Sequence, residues 1–335
     1  MRKIAKEKRV RTVPIWMGIL VFTLAFGAGV ASKFIIQPGW TKEYSVAWND
    51  EFGTRMIDLP YGDGETNKFD LYLPADSGNG SYGLVVYLHA GGFTAGDKSG
   101  DVEMLSWLCK KGYVAAGINY TLFAELEDGA TNGASVLTQS EEIRDAIPKV
   151  IEAAEKEGYH IDSMAIAGGS AGHTLAMIYA YRDAGQAPVP VKMTFGAVGP
   201  SCFHRKDWDN YGFDRETEES YQGAAGIFSA MLGEMLSVEE IRDGSYLEKM
   251  KPISAAEWIT PDAPPTVVAY GTYDRVQPFK ASLRLKAALE EYGVDYRYFE
   301  LPHSGHGLQN DHALYKQWME AVEEYLDKYM LDEAD

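Results

Sequence analysis

The stretch Met164-Ala165-Ile166-Ala167-Gly168-Gly169-Ser170-Ala171-Gly172 constrains this chain more than any other. Its apolar start suits a short buried strand, and residues 173–180 suit a helix packed by one face. A serine with glycine two residues before and two after it, at a turn from strand to helix, has the setting of a nucleophile elbow. A serine hydroxyl is a weak nucleophile. It has to stand clear of the backbone, near a base and beside N–H donors. The sharp turn crowds its neighbours, which suits Gly168 and Gly172 because they lack a Cβ. A helix starting at Ala171 also aims free N–H groups and its positive dipole end at the place where an oxyanion forms. No other serine in the chain has glycine at both positions.

The flanking chain supplies strands and helices in the order such an elbow needs. Residues 54–59 and 69–73 read as extended segments joined by a turn at Tyr61-Gly62-Asp63-Gly64, and residues 76–81 as a polar loop. Residues 83–88 are continuously apolar, as in an interior strand. Helices are then expected over 101–111, 138–158 (with Pro148 inside), 171–184, 278–292 and 311–330. Strands are expected over 113–119, 164–167, 191–198, 266–271 and 294–301. Leading antiparallel strands followed by β-α repeats predict an α/β fold, a mostly parallel central sheet with helices on both faces. Reactive residues then belong at the carboxyl ends of the strands. The alternation breaks between Val198 and Thr266. A helical insertion is expected there, over about 202–262, with short helices near 222–235 and 238–242. It is a candidate lid or substrate wall.

Acyl transfer by serine needs a base, an orienting acid and an oxyanion hole beside the nucleophile. In the order serine, acid, histidine, the acid should end the strand 266–271, and Asp274 in Gly271-Thr272-Tyr273-Asp274 does so. The base should follow the last strand. His306 lies between glycines in Pro302-His303-Ser304-Gly305-His306-Gly307, a loop able to reach another strand's end, with His303 as runner-up. His89 and His160 precede the elbow, His173 sits on the elbow helix facing away, His204 lies in the insertion and His312 on the final helix. The hole should combine the Ala171 N–H with those of Gly91 and Gly92 in His89-Ala90-Gly91-Gly92-Phe93, where the backbone can approach a substrate. Phe93, Tyr120, His204 and Trp208, each near a strand end, are candidate pocket walls.

Charge and composition narrow the classes. Residues 1–12 are basic, and 13–31 carry no charge and are long enough to cross a bilayer as a helix. The basic tail then stays cytoplasmic, residues 32–52 are a tether, and a domain over 53–335 lies outside the cytoplasm. A retained, single-pass signal anchor is favoured over a cleaved signal peptide with secretion, for which Gly29-Val30-Ala31 would be the cleavage site. The formal net charge is −18, and the basic tail makes the remainder more acidic still. Such a body repels phosphate backbones, so no nucleic-acid partner is expected. Two cysteines, Cys109 and Cys202, without metal-binding spacing indicate neither a disulfide framework nor a metal site. The chemistry requires no cofactor.

Taken in order, H-A-G-G-F, G-G-S-A-G, G-T-Y-D-R-V-Q-P and H-S-G-H-G resemble an α/β-hydrolase of the hormone-sensitive-lipase and carboxylesterase group. The nearest branch is bacterial serine esterases of small acyl or carbohydrate esters, and the resemblance spans roughly residues 54–330. It implies a Ser170, Asp274, His306 triad, a Gly91, Gly92, Ala171 hole, and a small ester, such as an acylated glycan, as substrate. Gly96-Asp97-Lys98, Asn119-Tyr120 and Pro264-Pro265-Thr266 are further echoes. Ala90 stands where the group has a glycine, and His173 where it often has a second glycine after the elbow. An amidase or aminopeptidase-like peptidase on the same triad is one rival, and a non-catalytic surface protein of the same fold is another.

Overall fold

Continuously apolar runs form the interior strands of the sheet, and alternating runs form its edges. The computed structural model describes residues 41–75, 80–125 and 130–330. Its strands are β1 (Gly53–Pro60), β2 (Lys68–Pro74), β3 (Ser81–Leu88), β4 (Val114–Ile118), β5 (His160–Gly169), β6 (Val191–Ala197), β7 (Thr266–Gly271) and β8 (Tyr296–Leu301). They lie in one sheet in the order β1-β2-β4-β3-β5-β6-β7-β8. β1 and β2 pair antiparallel, as do β2 and β4, and every later pairing is parallel. β7 is buried along its whole length, whereas β1 is exposed or half-buried throughout. Each fully covered Leu or Val side chain contributes about 1.5–3 kcal/mol.

The helices are α1 (Val102–Lys110), α2 (Val136–Lys156), α3 (Ala171–Ile178), α4 (Glu218–Leu232), α5 (Val238–Asp243), α6 (Tyr246–Met250), α7 (Phe279–Glu291) and α8 (His312–Met330). α1 and α8 cover one face of the sheet and are joined by an ion pair between Lys111 and Glu323. α2, α3 and α7 cover the other, where Ile143, Ile147, Val150, Leu175, Leu285 and Leu289 are fully or almost fully buried. A capping box between Ser135 and Thr138 starts α2, and Pro148 sits inside that helix without ending it.

Several boundaries differ from the sequence expectation. β5 begins at His160 rather than Met164, because His160 and Ile161 pair with Ser81 and Tyr82. α3 stops at Ile178 and widens into a π turn over Tyr179–Asp183, so the expected helix over 171–184 is broken. The insertion is helical, with no strand among its described residues, and it includes α6, which the sequence reading lacked. In place of a plain tether, residues 41–52 hold helical turns at Thr41–Tyr44 and Asp50–Phe52. The basic tail, the apolar stretch 13–31 and the tether to residue 40 lie outside the described residues. Among the described residues no helix is long and apolar enough to cross a membrane. The described residues from Lys42 onward cluster as one unit.

Candidate active site

Sheet register brings the motifs together. Gly168 of β5 pairs with Leu88 of β3 on one side and Gly196 of β6 on the other, and Ala197 of β6 pairs with Ala269 of β7. The elbow therefore lies beside the glycine loop and two strands from the acid loop, about 10 Å at ordinary strand spacing. A Cβ on Gly172 would overlap the carbonyl of Leu88, and one on Gly168 would press on the same oxygen and on Gly172. Those two glycines let α3 start directly against the end of β3. Ser170 has φ 52° and ψ −118°, a conformation that costs on the order of 1–3 kcal/mol. Its N–H donates to the Ala197 carbonyl at 2.8 Å, which helps to hold the turn.

The last loop crosses the sheet edge to reach this serine. Gly271 ends β7 without a side chain, and a Cβ there would collide with the carbonyls of Ser304 and Gly305. The Tyr273 N–H donates to the Ser304 carbonyl at 3.0 Å. The loop carries His306 over β7, where its Nδ1 lies 2.8 Å from Asp274 Oδ2 and its Nε2 lies 2.9 Å from Ser170 Oγ. A carboxylate only accepts, so Nδ1 carries the proton and Nε2 is left to accept from the serine hydroxyl. The other oxygen of Asp274 accepts the N–H groups of Val276 and Gln277 at 2.8 and 2.9 Å. Asp274 is 6% exposed, and the His306 side chain keeps 29% of its surface open. The chain from Asp274 through His306 to Ser170 can move a proton off the hydroxyl.

The glycine loop turns tightly, with the Gly91 carbonyl accepting from Thr94 and Ala95. Gly91 and Gly92 have φ of 140° and 60°, and a Cβ on Gly91 would overlap the Ala95 carbonyl. Ala171 opens α3, so its N–H has no acceptor within the helix. The loop is braced from behind. His89 stacks on Tyr120 at 4.2 Å, and the Tyr120 hydroxyl donates to the His89 carbonyl. Burial pushes the His89 imidazole below its usual range. Asp97 accepts from the Ser99 N–H and from Asn119, while Asn119 accepts the Lys98 N–H. Burial alone would raise the Asp97 carboxyl, but these bonds and the Lys98 charge hold it at about 2. Lys98 is buried against Asp58 and Asp70 at 2.6 and 3.0 Å. The sequence echoes Gly96-Asp97-Lys98 and Asn119-Tyr120 are thus parts of one brace.

Two expected pocket walls are corrected. Trp208 is 1% exposed, enclosed by Phe203, Phe213 and Phe228, and its indole N–H donates to the Cys202 carbonyl. Tyr120 is equally buried against His89. Phe93 is nearly buried at φ 68°, with its carbonyl held by the Phe123 N–H and the Gln139 amide. His204 pairs with Glu257 and borders a cavity of about 340 Å³ with Arg205, Arg242 and Arg284, among others. His303 pairs with Asp311, its side chain 77% exposed. Sequence reasoning missed the contribution of the insertion: Asn210 and Tyr211 donate to the carbonyls of Arg275 and Val276 in the acid loop. Among the described residues no cluster of His, Cys, Asp or Glu could hold a metal ion.

A family model described as BD-FAE matches residues 69–289, a span that includes Ser170 and Asp274 and ends before His306. Kynurenine formamidase from Danio rerio is 31% identical over 140 residues, 41% of this chain and 43% of that protein. The chain thus matches less than half the length of that relative. Among solved structures, a truncated carbohydrate esterase from gut microbiota superposes with a TM-score of 0.62 at 17% identity, covering 83% of this chain and 99% of that one. A thermophilic esterase from the Planctomycetes species Thermogutta terrifontis has a TM-score of 0.62 at 17% identity, covering 86% and 97%. Both likenesses concern the fold.

Proposed function

The chain belongs to the BD-FAE family of α/β-hydrolases, and from that membership we propose that it is a serine esterase acting on small acyl or acetylated-carbohydrate esters. The observation that carries this reading is the unbroken hydrogen-bonded line from Asp274 through His306 to Ser170. In the proposed cycle His306 takes the Ser170 proton as Oγ attacks the ester carbonyl, and Asp274 stabilises the resulting imidazolium. The N–H groups of Gly91, Gly92 and Ala171 receive the oxyanion. His306 returns its proton to the departing alcohol, and water then releases the acid by the reverse use of the same groups. The cycle calls for no cofactor. The esterase names among the structural neighbours support the substrate class.

A second reading, an amidase, has the match to kynurenine formamidase in its favour. The same triad attacks a formamide, with the amine protonated as it leaves. Turnover of p-nitrophenyl acetate and butyrate, set against an N-formyl aryl amide and acetylated oligosaccharides, separates the two. Ester turnover is expected to exceed amide turnover, and Ser170→Ala to lower it by roughly 10³-fold or more. Faster amide turnover would favour the second reading, and full activity in Ser170→Ala would contradict both. We also propose that residues 13–31 anchor the protein in the cell membrane with its hydrolase domain outside the cytoplasm. The one-sided basic flank supports this. Recovery of the full chain in a salt-washed soluble fraction would contradict it.

A further inference from the structure

His173 lies three residues after Ser170 on α3 and has no exposed surface. Its Nδ1 accepts the Gly199 N–H at 3.1 Å, which places the ring proton on Nε2. That Nε2 is buried and makes no hydrogen bond of good geometry, although the backbone of Ala197 acts electrostatically on the ring. An apolar side chain of similar size would avoid the cost of a poorly paired donor, so filling space does not by itself account for an imidazole here. The room for the ring comes from β6 and the residues after it. A Cβ on Gly196 would overlap the imidazole, and one on Gly199 would come within 2.9 Å of the His173 Cβ and 2.8 Å of the Ser170 carbonyl.

The segment that His173 holds is strained, and it runs between the nucleophile and the acid. Ala197 accepts the Ser170 N–H at 2.8 Å. Val198, a β-branched residue at φ 52°, donates to the Ala269 carbonyl of β7 at 3.0 Å. Gly199 accepts the hydroxyl of Tyr270 at 3.0 Å while its N–H is engaged by His173. Tyr270 lies on β7, four residues before Asp274. A β-branched residue in the left-handed region persists only when its surroundings fix it from more than one side. Here one side is the elbow helix and the other is the acid strand.

We infer that His173 is a positioning residue: through Gly199 it holds the Ala197–Val198–Gly199 crossing between elbow and acid strand, and so fixes the placement of Ser170 against the Asp274–His306 pair. The inference rests on the reading of Ser170 as the nucleophile. Its action is on geometry in the reacting complex, so it belongs in kcat rather than in KM.

The test is steady-state hydrolysis of p-nitrophenyl acetate by the full chain and its variants, well below the melting temperature of each. Wild-type turnover that Ser170→Ala abolishes establishes the underlying reading. Absence of any turnover, of the N-formyl aryl amide as well as the ester, overturns that reading and the inference together. Given that turnover, His173→Leu is expected to lower kcat by roughly 10- to 100-fold with KM within about threefold. His173→Asn, whose Oδ1 can take the place of Nδ1, should recover kcat to within about threefold of wild type. An unchanged kcat in His173→Leu, whatever its melting temperature, overturns the inference alone, as does a His173→Asn enzyme as slow as His173→Leu. If His173→Leu does not fold, Tyr270→Phe decides, because it removes the other side-chain hydrogen bond to Gly199. A fall in kcat of roughly three- to tenfold at constant KM supports the inference, and an unchanged kcat overturns it.

Discussion

Two histidines in this chain are shaped by opposite demands. His306 is partly open, and its two ring nitrogens face the carboxylate of Asp274 and the hydroxyl of Ser170. His173, on the elbow helix, is sealed, and burial pushes its imidazole down to about 3. A free imidazole titrates near 6.5, so between that pH and about 3 the folded state binds fewer protons than the unfolded state. Stability therefore falls as pH drops through this window. His89, lowered by burial as well, adds in the same direction. Between pH 7 and pH 5 the expected loss from His173 is about 2 kcal/mol. Denaturant melts at the two pH values measure it, and His173→Asn, which does not titrate, should flatten that part of the dependence. Equal pH slopes in wild type and variant would contradict the assignment. The charge state was not legible in the sequence, because the partner that fixes the ring, Gly199, lies 26 residues away.

At the level of elements, the contact between the start of α3 and the end of β3 governs the site. It sets the serine against the glycine loop through a gap that admits no side chain at Gly172. Gly172→Ala should therefore destabilise the fold by about 2 kcal/mol or more and cost most of the activity. Thermal melting and ester turnover check this, and a variant with wild-type stability would contradict the close approach. The strands and long helices were legible because continuous apolar runs and amphipathic spacing reflect burial directly. So were the residues that come together at the strand ends, since Ser170, Asp274 and His306 each follow a strand within a few positions. The walls were not. An aromatic near a strand end reads alike whether its ring faces solvent or, as with Trp208 and Tyr120, is buried in the core. α6 is short and has no side-chain cap, whereas the comparably short α5 is announced by its Ser237–Glu240 capping box. The hold of Asn210 and Tyr211 on the acid loop joins positions 65 residues apart, a distance no local pattern spans.

At the scale of the whole molecule, a formal net charge of −18 gives the chain a negative mean potential. A field of that sign favours cationic over anionic small substrates at low ionic strength, and screening removes the bias as the Debye length falls to about 10 Å near 0.1 M salt. Values of kcat/KM for a choline ester and a monosuccinate ester, taken at low and moderate salt, should converge as salt rises. Salt-independent values would place the field away from the substrate's approach. Ser170 is proposed as the nucleophile of a single hydrolytic site. Its most direct test is treatment of the full chain with a fluorophosphonate, mapping the adduct by mass spectrometry while following p-nitrophenyl acetate turnover. One adduct is expected, on Ser170 and absent from Ser170→Ala, with turnover lost in proportion to labelling. Turnover that survives complete labelling of Ser170, or an inactivating adduct on another residue, would contradict it.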